Sequence, residues 1–307
     1  MMKSADFDQL NHRGEGRFPP LLLNFRTISR KIASATFFFC ALFVVATVLS
    51  IVVMLGVKAV PFLNRVGVWT FLTGTEWKPL RGHFGIAPMI AGTAYVTLGA
   101  LILGGPLGLG VAVFLAELAP SRIKEILNPL IDLLAGIPSV VYGFYGITVI
   151  VPWIRRIFGG PGFSVLAASV VLGVMILPTI VNVAREAIAA VPDDYREGSL
   201  ALGASRWQTI FGVVLPAARS GIIAAIILGL GRAFGETMAV VMVAGNMVAF
   251  PKSILEPTRT LTSNVVLEMG YATGDHQAAL FATGFVLLLF ILTLNLASHW
   301  LTKKGVS

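Results

Sequence analysis

PDDYREGSLALGASRWQTIFGVVLP, residues 192–216, is a charged stretch that separates two long apolar blocks of the sequence. Its first part is typical of a helix start, because Asp193 and Asp194 after a proline can cap free amide groups and favour the positive end of the helix dipole. Gly203 is expected to end this first helix. The chain is therefore organised around a polar interruption with an apolar region on each side.

A second short helix is expected from Ala204 to Pro216, with the Ser205 hydroxyl as its N-terminal cap. Its apolar residues recur at helical spacing: Trp207, Ile210, Phe211 and Val214. Two short helices joined at a glycine predict a compact projection. Such a projection fits a groove on a soluble partner.

The composition indicates the solvent that surrounds the rest of the chain. Of the 307 residues, 56% are hydrophobic and 12% are charged, against about 25% charged residues in an ordinary soluble domain. The net charge of +8 does not indicate a nucleic-acid partner, because most basic residues flank apolar blocks, as the orientation of a membrane protein requires. Cys40 is the single cysteine, so the chain has no disulfide or zinc framework of its own. We predict a polytopic membrane protein.

Six apolar blocks are each long enough to cross a hydrocarbon core of about 30 Å as a helix. They cover residues 32–57, 84–116, 133–154, 163–184, 222–247 and 278–300. The second block exceeds the length of one span, so it is expected to include a re-entrant or interfacial lead-in. Pro138 and Pro152 in the third block and Pro178 in the fourth predict kinks. The predicted fold class is an all-α polytopic membrane protein with six transmembrane helices.

Basic residues orient the predicted helices. With the N-terminus in the cytoplasm, fourteen lysines and arginines lie on the cytoplasmic side and eight on the opposite side, as the positive-inside rule requires. This orientation makes residues 1–31 a cytoplasmic tail, residues 32–302 the transmembrane domain and residues 303–307 a cytoplasmic C-terminus. Both termini and the 193–216 segment are then expected to be cytoplasmic.

The fifth block carries two ionisable residues, Arg232 and Glu236. An ionisable side chain near the centre of a membrane helix costs about 2.5–3.5 kcal/mol on insertion scales, so two of them indicate a pairing or a function. Their spacing of four residues predicts a shared helix face and a salt bridge. Arg232 can meet an oxyanion in a transport pathway through parallel N–H donors, with Glu236 holding the arginine until substrate or a conformational change displaces it. Thr237 can add a hydroxyl, but a lone threonine is more often bonded back to its own helix. The alternative is a purely structural ion pair that locks the helix against its neighbours.

The spacing within residues 193–216 resembles the EAA loop of ABC-importer permeases, whose pattern is Glu-Ala-Ala, three residues, Gly, nine residues and Ile-x-Leu-Pro. Here Glu197 matches the glutamate of the pattern, Gly198 and Ser199 replace the two alanines, and Gly203 matches the glycine. The pattern ends with Val213-Val214-Leu215-Pro216, with valine for isoleucine. In that family the loop docks on the ATPase subunit and transmits its closure to the membrane. The resemblance implies a MetI-like fold with cytoplasmic coupling helices.

Four segments resemble phosphate-specific transport permeases, and among these the C type more than the A type. They are FGIAPMIAGT (84–93), LAGIPSVVYGFYG (134–146), ALGASRW (201–207) and GRAFGETMAVVMVAGN (231–246). The resemblance extends over roughly residues 70–300. It implies a transmembrane subunit of an ATP-driven phosphate importer, itself not an enzyme, that forms half of the translocation pathway.

The resemblance also implies partners and residue roles. The partners are a second, A-type permease, an ATP-binding cassette ATPase dimer, an extracytoplasmic phosphate-binding protein and the lipid of a bacterial inner membrane. Residues expected to couple to the ATPase are Glu197, Gly203, Ala204, Trp207, Leu215 and Pro216. The expected substrate-pathway residues are Arg232, Glu236 and Thr237. No catalytic residue, cofactor or metal site is expected.

Three alternatives remain open at the level of sequence. Arg232 suits any oxyanion, so a permease for another oxyanion has the same pattern. An ion-coupled secondary transporter requires its own coupling-ion site and usually an inverted repeat, and neither is evident. A membrane scaffold or sensor would use the 193–216 segment to recruit a regulator. The glycine-rich run at residues 104–108 lacks the ending of a nucleotide-binding loop, so ATP hydrolysis is expected to belong to a partner.

Overall fold

The computed structural model describes the backbone of residues 20–304 and the side chains of residues 33–296. Residues 1–19 of the predicted tail lie outside the described residues. The same holds for residues 305–307 of the predicted C-terminus. The first element is helix α1, Pro20–Val66, which contains the predicted first span. The chain divides into two compact units, one up to Met54 and one from Leu55 onward.

The second unit contains the end of α1 and all later elements. Helix α2, Val68–Thr73, is followed by a two-stranded antiparallel hairpin of β1, Trp77–Lys78, and β2, His83–Phe84. Helix α3, Ala87–Val113, continues through a π turn to Leu118. The re-entrant alternative for the lead-in is therefore wrong, because the block is one continuous helix from Ala87 preceded by the hairpin strand β2. The interfacial alternative stays a prediction.

The later helices complete an all-α membrane domain. They are α4 (Ser121–Gly136), α5 (Ser139–Tyr145), α6 (Val151–Phe158), α7 (Val165–Ala189), α8 (Asp193–Ala201), α9 (Arg206–Thr209), α10 (Leu215–Ala217), α11 (Arg219–Gly235), α12 (Met238–Val243), α13 (Leu261–Glu268) and α14 (Gly274–Lys304). Within the described residues, five helices are long and apolar enough to span a membrane. A sixth span results if the pair Arg206–Ala217 and Arg219–Gly235, bent by 71°, counts as one. The predicted fold class is confirmed.

Three π turns each lie two residues before a proline. They are Phe114–Leu118 before Pro120, Gly146–Ile150 before Pro152 and Ile210–Val214 before Pro216. Pro152 and Pro216 continue a helix, where proline has no amide hydrogen and its ring clashes with the carbonyl four residues back, so the preceding turn widens. Pro120 follows the extended residue Ala119, where the helix has already ended. The predicted kink at Pro152 is thus a π turn, and Pro138 lies at a break between α4 and α5. Pro178 lies inside the continuous helix α7.

Helices α3 and α7 pack closely and run in the same direction. A Cβ atom on Gly99 would lie 2.2 Å from Ser169 Oγ, and one on Gly104 would lie 2.5 Å from the backbone oxygen of Gly173. Ser169 Oγ also donates to the carbonyl oxygen of Val96 at 3.3 Å. Small residues allow the two backbones to approach to this distance.

Candidate functional site

Residues 193–216 fold as two short helices joined at Gly203, as predicted. Gly203 has a backbone φ of +87°, in the left-handed region that favours glycine. Ser205 caps α9, because its Oγ accepts from the Gln208 amide at 3.4 Å and the Gln208 side chain accepts from the Ser205 amide at 2.7 Å. This capping box fixes where the second helix begins.

The start of α8 differs from the prediction. Its N-cap is Pro192, which has no side-chain acceptor, and Asp193 and Asp194 lie in the first turn instead. Asp193 Oδ1 accepts from Nη1 of Arg196 at 3.2 Å. The two carboxylates therefore complement the helix dipole and do not act as caps.

The apolar residues of the second helix divide between two faces. Ile210 and Val214 are buried in a cluster that includes residues of α3, α7 and α11. Trp207 and Phe211 are exposed and stack on each other with ring centroids 6.0 Å apart. The buried pair holds the segment on the membrane domain, and the aromatic pair leaves an apolar surface open.

Most of the predicted ATPase contacts lie at the surface of the segment. Glu197, Gly203, Trp207 and Pro216 are exposed, and Ala204 and Leu215 are partly buried. Within the described part of the chain, the Glu197 carboxylate has no hydrogen-bond or ion-pair partner. Leu202, which is 91% exposed, adds apolar area to the surface of the segment. Apolar and charged groups exposed together are typical of a protein interface.

Sequence reasoning missed Arg196, which anchors the segment. Its Nη2 lies 2.7 Å from Glu117 Oε1 and its Nε lies 3.3 Å from Oε2, so the two planar groups meet at two points. The guanidinium also donates to the carbonyl oxygen of Ile188 in the last turn of α7 and to that of Val191 just after it. The hydrogen bond with Glu117 raises the pKa of Arg196 above its already high ordinary value, so the arginine stays charged.

Arg232 and Glu236 do not form the predicted salt bridge. Helix α11 ends at Gly235 and Glu236 follows it in an extended conformation, so the two residues do not share a helix face. Glu236 Oε1 instead accepts from the Ala239 amide at 3.2 Å. None of the ion pairs among the described residues includes Arg232 or Glu236. The fifth apolar block is therefore interrupted between α11 and α12.

Hydroxyl groups stabilise this interruption. Thr262, at the start of α13, donates from Oγ1 to the carbonyl oxygen of Glu236 at 3.0 Å. Thr237 donates from Oγ1 to the carbonyl oxygen of Gly235 at 3.2 Å. These donors satisfy carbonyl oxygens that a continuous helix would pair with its own amides.

The partly buried Arg232 side chain has a neutral partner. Its Nη1 donates to Oγ1 of Thr179 on α7 at 3.2 Å. A guanidinium has five N–H donors, and among the described residues no carboxylate neutralises this one. Two further polar contacts continue along α7, from Asn182 to Asp132 at 3.0 Å and from Arg185 to Asn128.

Near the N-terminal end of α3, which follows the hairpin, Glu268 is the centre of a buried network that the sequence did not indicate. Its Oε2 accepts from Trp77 Nε1 at 2.8 Å and lies 2.7 Å from His276 Nε2, while Oε1 accepts from Arg259 Nη1 at 2.6 Å. His276 is therefore part of this network, with a side chain only 14% exposed. The network joins the hairpin, α13 and α14.

A family model described as the binding-protein-dependent transport system inner membrane component matches residues 104–304. The chain belongs to this permease family. The permease is therefore a multi-pass inner-membrane transport subunit and not an enzyme, and the ATPase and the substrate-binding protein of such systems are separate partners. Family membership rules out the ion-coupled transporter and the sensor.

Relatives from other bacteria align with most of the permease. It is 44% identical over 272 residues to the probable ABC transporter permease protein YqgH of Bacillus subtilis, covering 86% of this chain and 88% of the relative. It is 38% identical over 244 residues to the phosphate transport system permease protein PstC of Xylella fastidiosa, covering 73% and 75%. PstC of Haemophilus influenzae is 34% identical over 273 residues, covering 82% and 86%. The resemblance to C-type permeases is confirmed.

Solved structures share the fold of the permease. A chain of the MetNI methionine ABC transporter has a TM-score of 0.54 at 20% identity, covering 74% of this chain and 95% of that one. A chain of a bacterial alginate ABC transporter has a TM-score of 0.62 at 16% identity, covering 91% and 98%. The predicted MetI-like fold is confirmed.

Proposed function

We propose that the permease is the C-type transmembrane subunit of an ATP-driven inorganic phosphate importer. Relatives whose names are phosphate transport system permease proteins support this substrate. In this assembly the permease pairs with a second, A-type permease, an ATPase dimer and an extracytoplasmic phosphate-binding protein. Each of the two permeases contributes half of the translocation pathway.

One observation carries the pathway assignment: Arg232 lies within the membrane domain with a neutral partner and no carboxylate among the described residues. Placing an unneutralised cation at this depth is costly, so a function that uses it is favoured. The planar donor fork of a guanidinium matches phosphate oxygens in pairs. A structural ion pair with Glu236 does not account for this geometry, because the end of α11 separates the two side chains.

Glu236 and Thr237 belong to the same pathway in this proposal, because they form the interruption one turn beyond Arg232. Irregular backbone at membrane depth is tolerated where it is buried in protein or lines a water-filled cavity. Glu236 positions the start of α12 through its contact with the Ala239 amide. The break then places backbone polar groups beside the anion, as interrupted helices of other transporters do.

The 193–216 segment docks on the ATPase in this proposal. The exposure of this segment supports the docking. Its surface residues are Glu197, Gly203, Trp207 and Pro216, and Ala204 and Leu215 beside them are partly buried. Docking places the segment and both chain termini in the cytoplasm. The hairpin and the Glu268 network then face outward, toward the binding protein that delivers phosphate.

The test is anion-dependent ATP hydrolysis by the purified complex in vesicles, with its binding protein and with phosphate, sulfate or molybdate present. We expect phosphate alone to stimulate hydrolysis and to accumulate, and we expect uptake to stop when ATP is withheld while an ion gradient persists. Stimulation by sulfate or molybdate without stimulation by phosphate would assign another oxyanion. Uptake that continues without ATP would overturn the proposal as a whole.

A further inference from the structure

Arg196 connects the 193–216 segment to two membrane helices at once. It donates to Glu117 in the π turn that ends α3 and to the carbonyl oxygens of Ile188 and Val191 at the end of α7. It also contacts Asp193 within its own helix. Among the described side chains of the segment, Arg196 is the one that forms an ion pair with another element.

The contact between Arg196 and Glu117 is buried and has a fixed geometry. The Arg196 and Glu117 side chains are only 18% and 11% exposed. Two N–H···O contacts between planar groups fix their orientation as well as their distance. The positive charge also lies at the carbonyl end of α7, where the helix dipole favours it. Without the Glu117 charge, Arg196 would keep its bonds to Asp193 and to the two carbonyl oxygens but would lose its fixed link to α3.

The two helices that receive Arg196 are locked together along their lengths. Gly99 and Gly104 leave no space for a Cβ atom, and a Cβ on Gly108 would lie 3.0 Å from Ile180 Cγ2. Close-packed helices of this kind move as a unit, because sliding would force side chains into the neighbouring backbone. A displacement at the end of α7 therefore reaches Thr179, the partner of Arg232.

We propose that Arg196 is a positioning residue that transmits displacement of the 193–216 segment to the α3–α7 pair. This inference rests on the proposed function, in which the ATPase moves the segment. The chain itself connects the segment to α11 through the 71° bend. The chain also connects the segment to α7, and Arg196 adds a direct contact with the end of α3 and with the last carbonyl groups of α7. Both sides of the Arg232–Thr179 contact are thus linked to the segment. Without Arg196 the segment keeps its chain connections and the packing of Ile210 and Val214, but it loses its ion pair with the end of α3. Less of its displacement then reaches the α3–α7 pair, and more ATP is hydrolysed per anion transported.

The test uses the full permease in complex with the second permease, the ATPase and the binding protein, reconstituted in vesicles. Arg196→Gln removes the donor fork, and Glu117→Gln keeps the side-chain shape and removes the charge. The matched control is Arg122→Gln, an exposed arginine at the start of α4. The measured quantity is phosphate accumulated per ATP hydrolysed. We expect this ratio to fall roughly fivefold or more in both variants but not in the control, while assembly and basal hydrolysis persist.

The double variant separates coupling from a general loss of stability. Arg196→Gln with Glu117→Gln should be no worse than the more severe single variant, because both act through one contact. Exchanging the charges, Arg196→Glu with Glu117→Arg, should restore part of the ratio. A wild-type ratio in both single variants overturns the inference, and so does loss of assembly in both. If the wild-type complex itself takes up no anion with ATP, the proposed function fails instead.

Discussion

Nη1 of Arg232 and Oγ1 of Thr179 lie 3.2 Å apart where α11 packs on α7. A threonine hydroxyl positions the guanidinium without neutralising it, since the hydroxyl carries no charge. Helix α7 therefore sets where the arginine lies, while the charge of the arginine remains open to an anion. Substitutions of Arg232 should therefore affect anion transport more than substitutions of Thr179, which only helps to position the guanidinium.

Arg232→Gln should reduce phosphate uptake by the reconstituted complex roughly ten- to hundredfold, because a hydrogen bond to a charged group contributes about 1.5–3 kcal/mol. Arg232→Lys keeps the charge but loses the planar fork, so its uptake should be intermediate. Thr179→Val is the matched control, since it removes only the neutral partner, and its loss should be smaller. Normal uptake by Arg232→Gln, or failure of this variant to co-purify with the second permease, would contradict the pathway role.

Glu197→Lys should uncouple ATP hydrolysis from uptake without preventing membrane insertion. The Glu197 carboxylate is exposed and has no partner within the described residues, so reversing its charge alters the docking surface and not the fold. Gly203→Trp should do the same by adding bulk to that surface. Hydrolysis and uptake are measured in one preparation, with Glu125→Lys, an exposed glutamate of α4, as the control. Wild-type uptake in Gly203→Trp would count against docking through this segment.

Gly203→Ala should test the backbone conformation separately from the surface. At a φ of +87° an alanine costs about 1–2 kcal/mol, although a Cβ there would meet no atom within 4 Å. Gly198→Ala is the control, because it has the same open space in an ordinary helical conformation. We expect a lower Tm of the purified complex for the first variant only. Equal values for both would show that the left-handed turn contributes nothing.

Gly104→Val should destabilise the permease by about 1–3 kcal/mol, because a Cβ atom there would lie 2.5 Å from the backbone oxygen of Gly173. Gly110→Ala on the same helix has no atom within 4 Å and should be neutral or slightly stabilising. Thermal unfolding of the purified permease in detergent distinguishes the two. A Gly104→Val protein as stable as wild type would mean that α3 and α7 are not locked at this glycine.

Trp77→Phe should loosen the hairpin, because Glu268 Oε2 would lose a donor whose net contribution is about 1.5–3 kcal/mol. Trp69, which is 76% exposed, provides the control as Trp69→Phe. A protease added on the side of the membrane that the hairpin faces should cut the Trp77 variant faster than wild type. The cleavage rate of the control should equal that of wild type. Identical cleavage rates in all three proteins would place the stability of the hairpin elsewhere.

The sequence predicts those features that depend on neighbouring residues. Apolar length predicts the spans, the glycines of α3 predict close packing with another helix, and the Gly203 and Ser205 pattern predicts two short helices. The break after Gly235 was missed because Thr262, which supplies a donor to it, lies 26 residues from Glu236. Within the apolar run alone, nothing opposes a continuous helix.

Long-range polar contacts were missed for the same reason. Arg196 and Glu117 are 79 residues apart, and Trp77 and Glu268 are 191 residues apart. Each residue taken alone is an ordinary charged or aromatic residue near the end of an apolar block. Their roles follow only once the packing of α3 against α7, and of the hairpin against α13, brings them together.

The π turns before Pro120, Pro152 and Pro216 bear on how such permeases can diverge in sequence. A π turn contains one residue more than the α turn it replaces, so it is a point where a single insertion or deletion disturbs the helix least. One residue rotates the rest of a helix by about 100°. Relatives that lack Pro152 or Pro216, which lie in a continuing helix, should therefore align across a one-residue gap at that turn, with the faces of the flanking helix preserved.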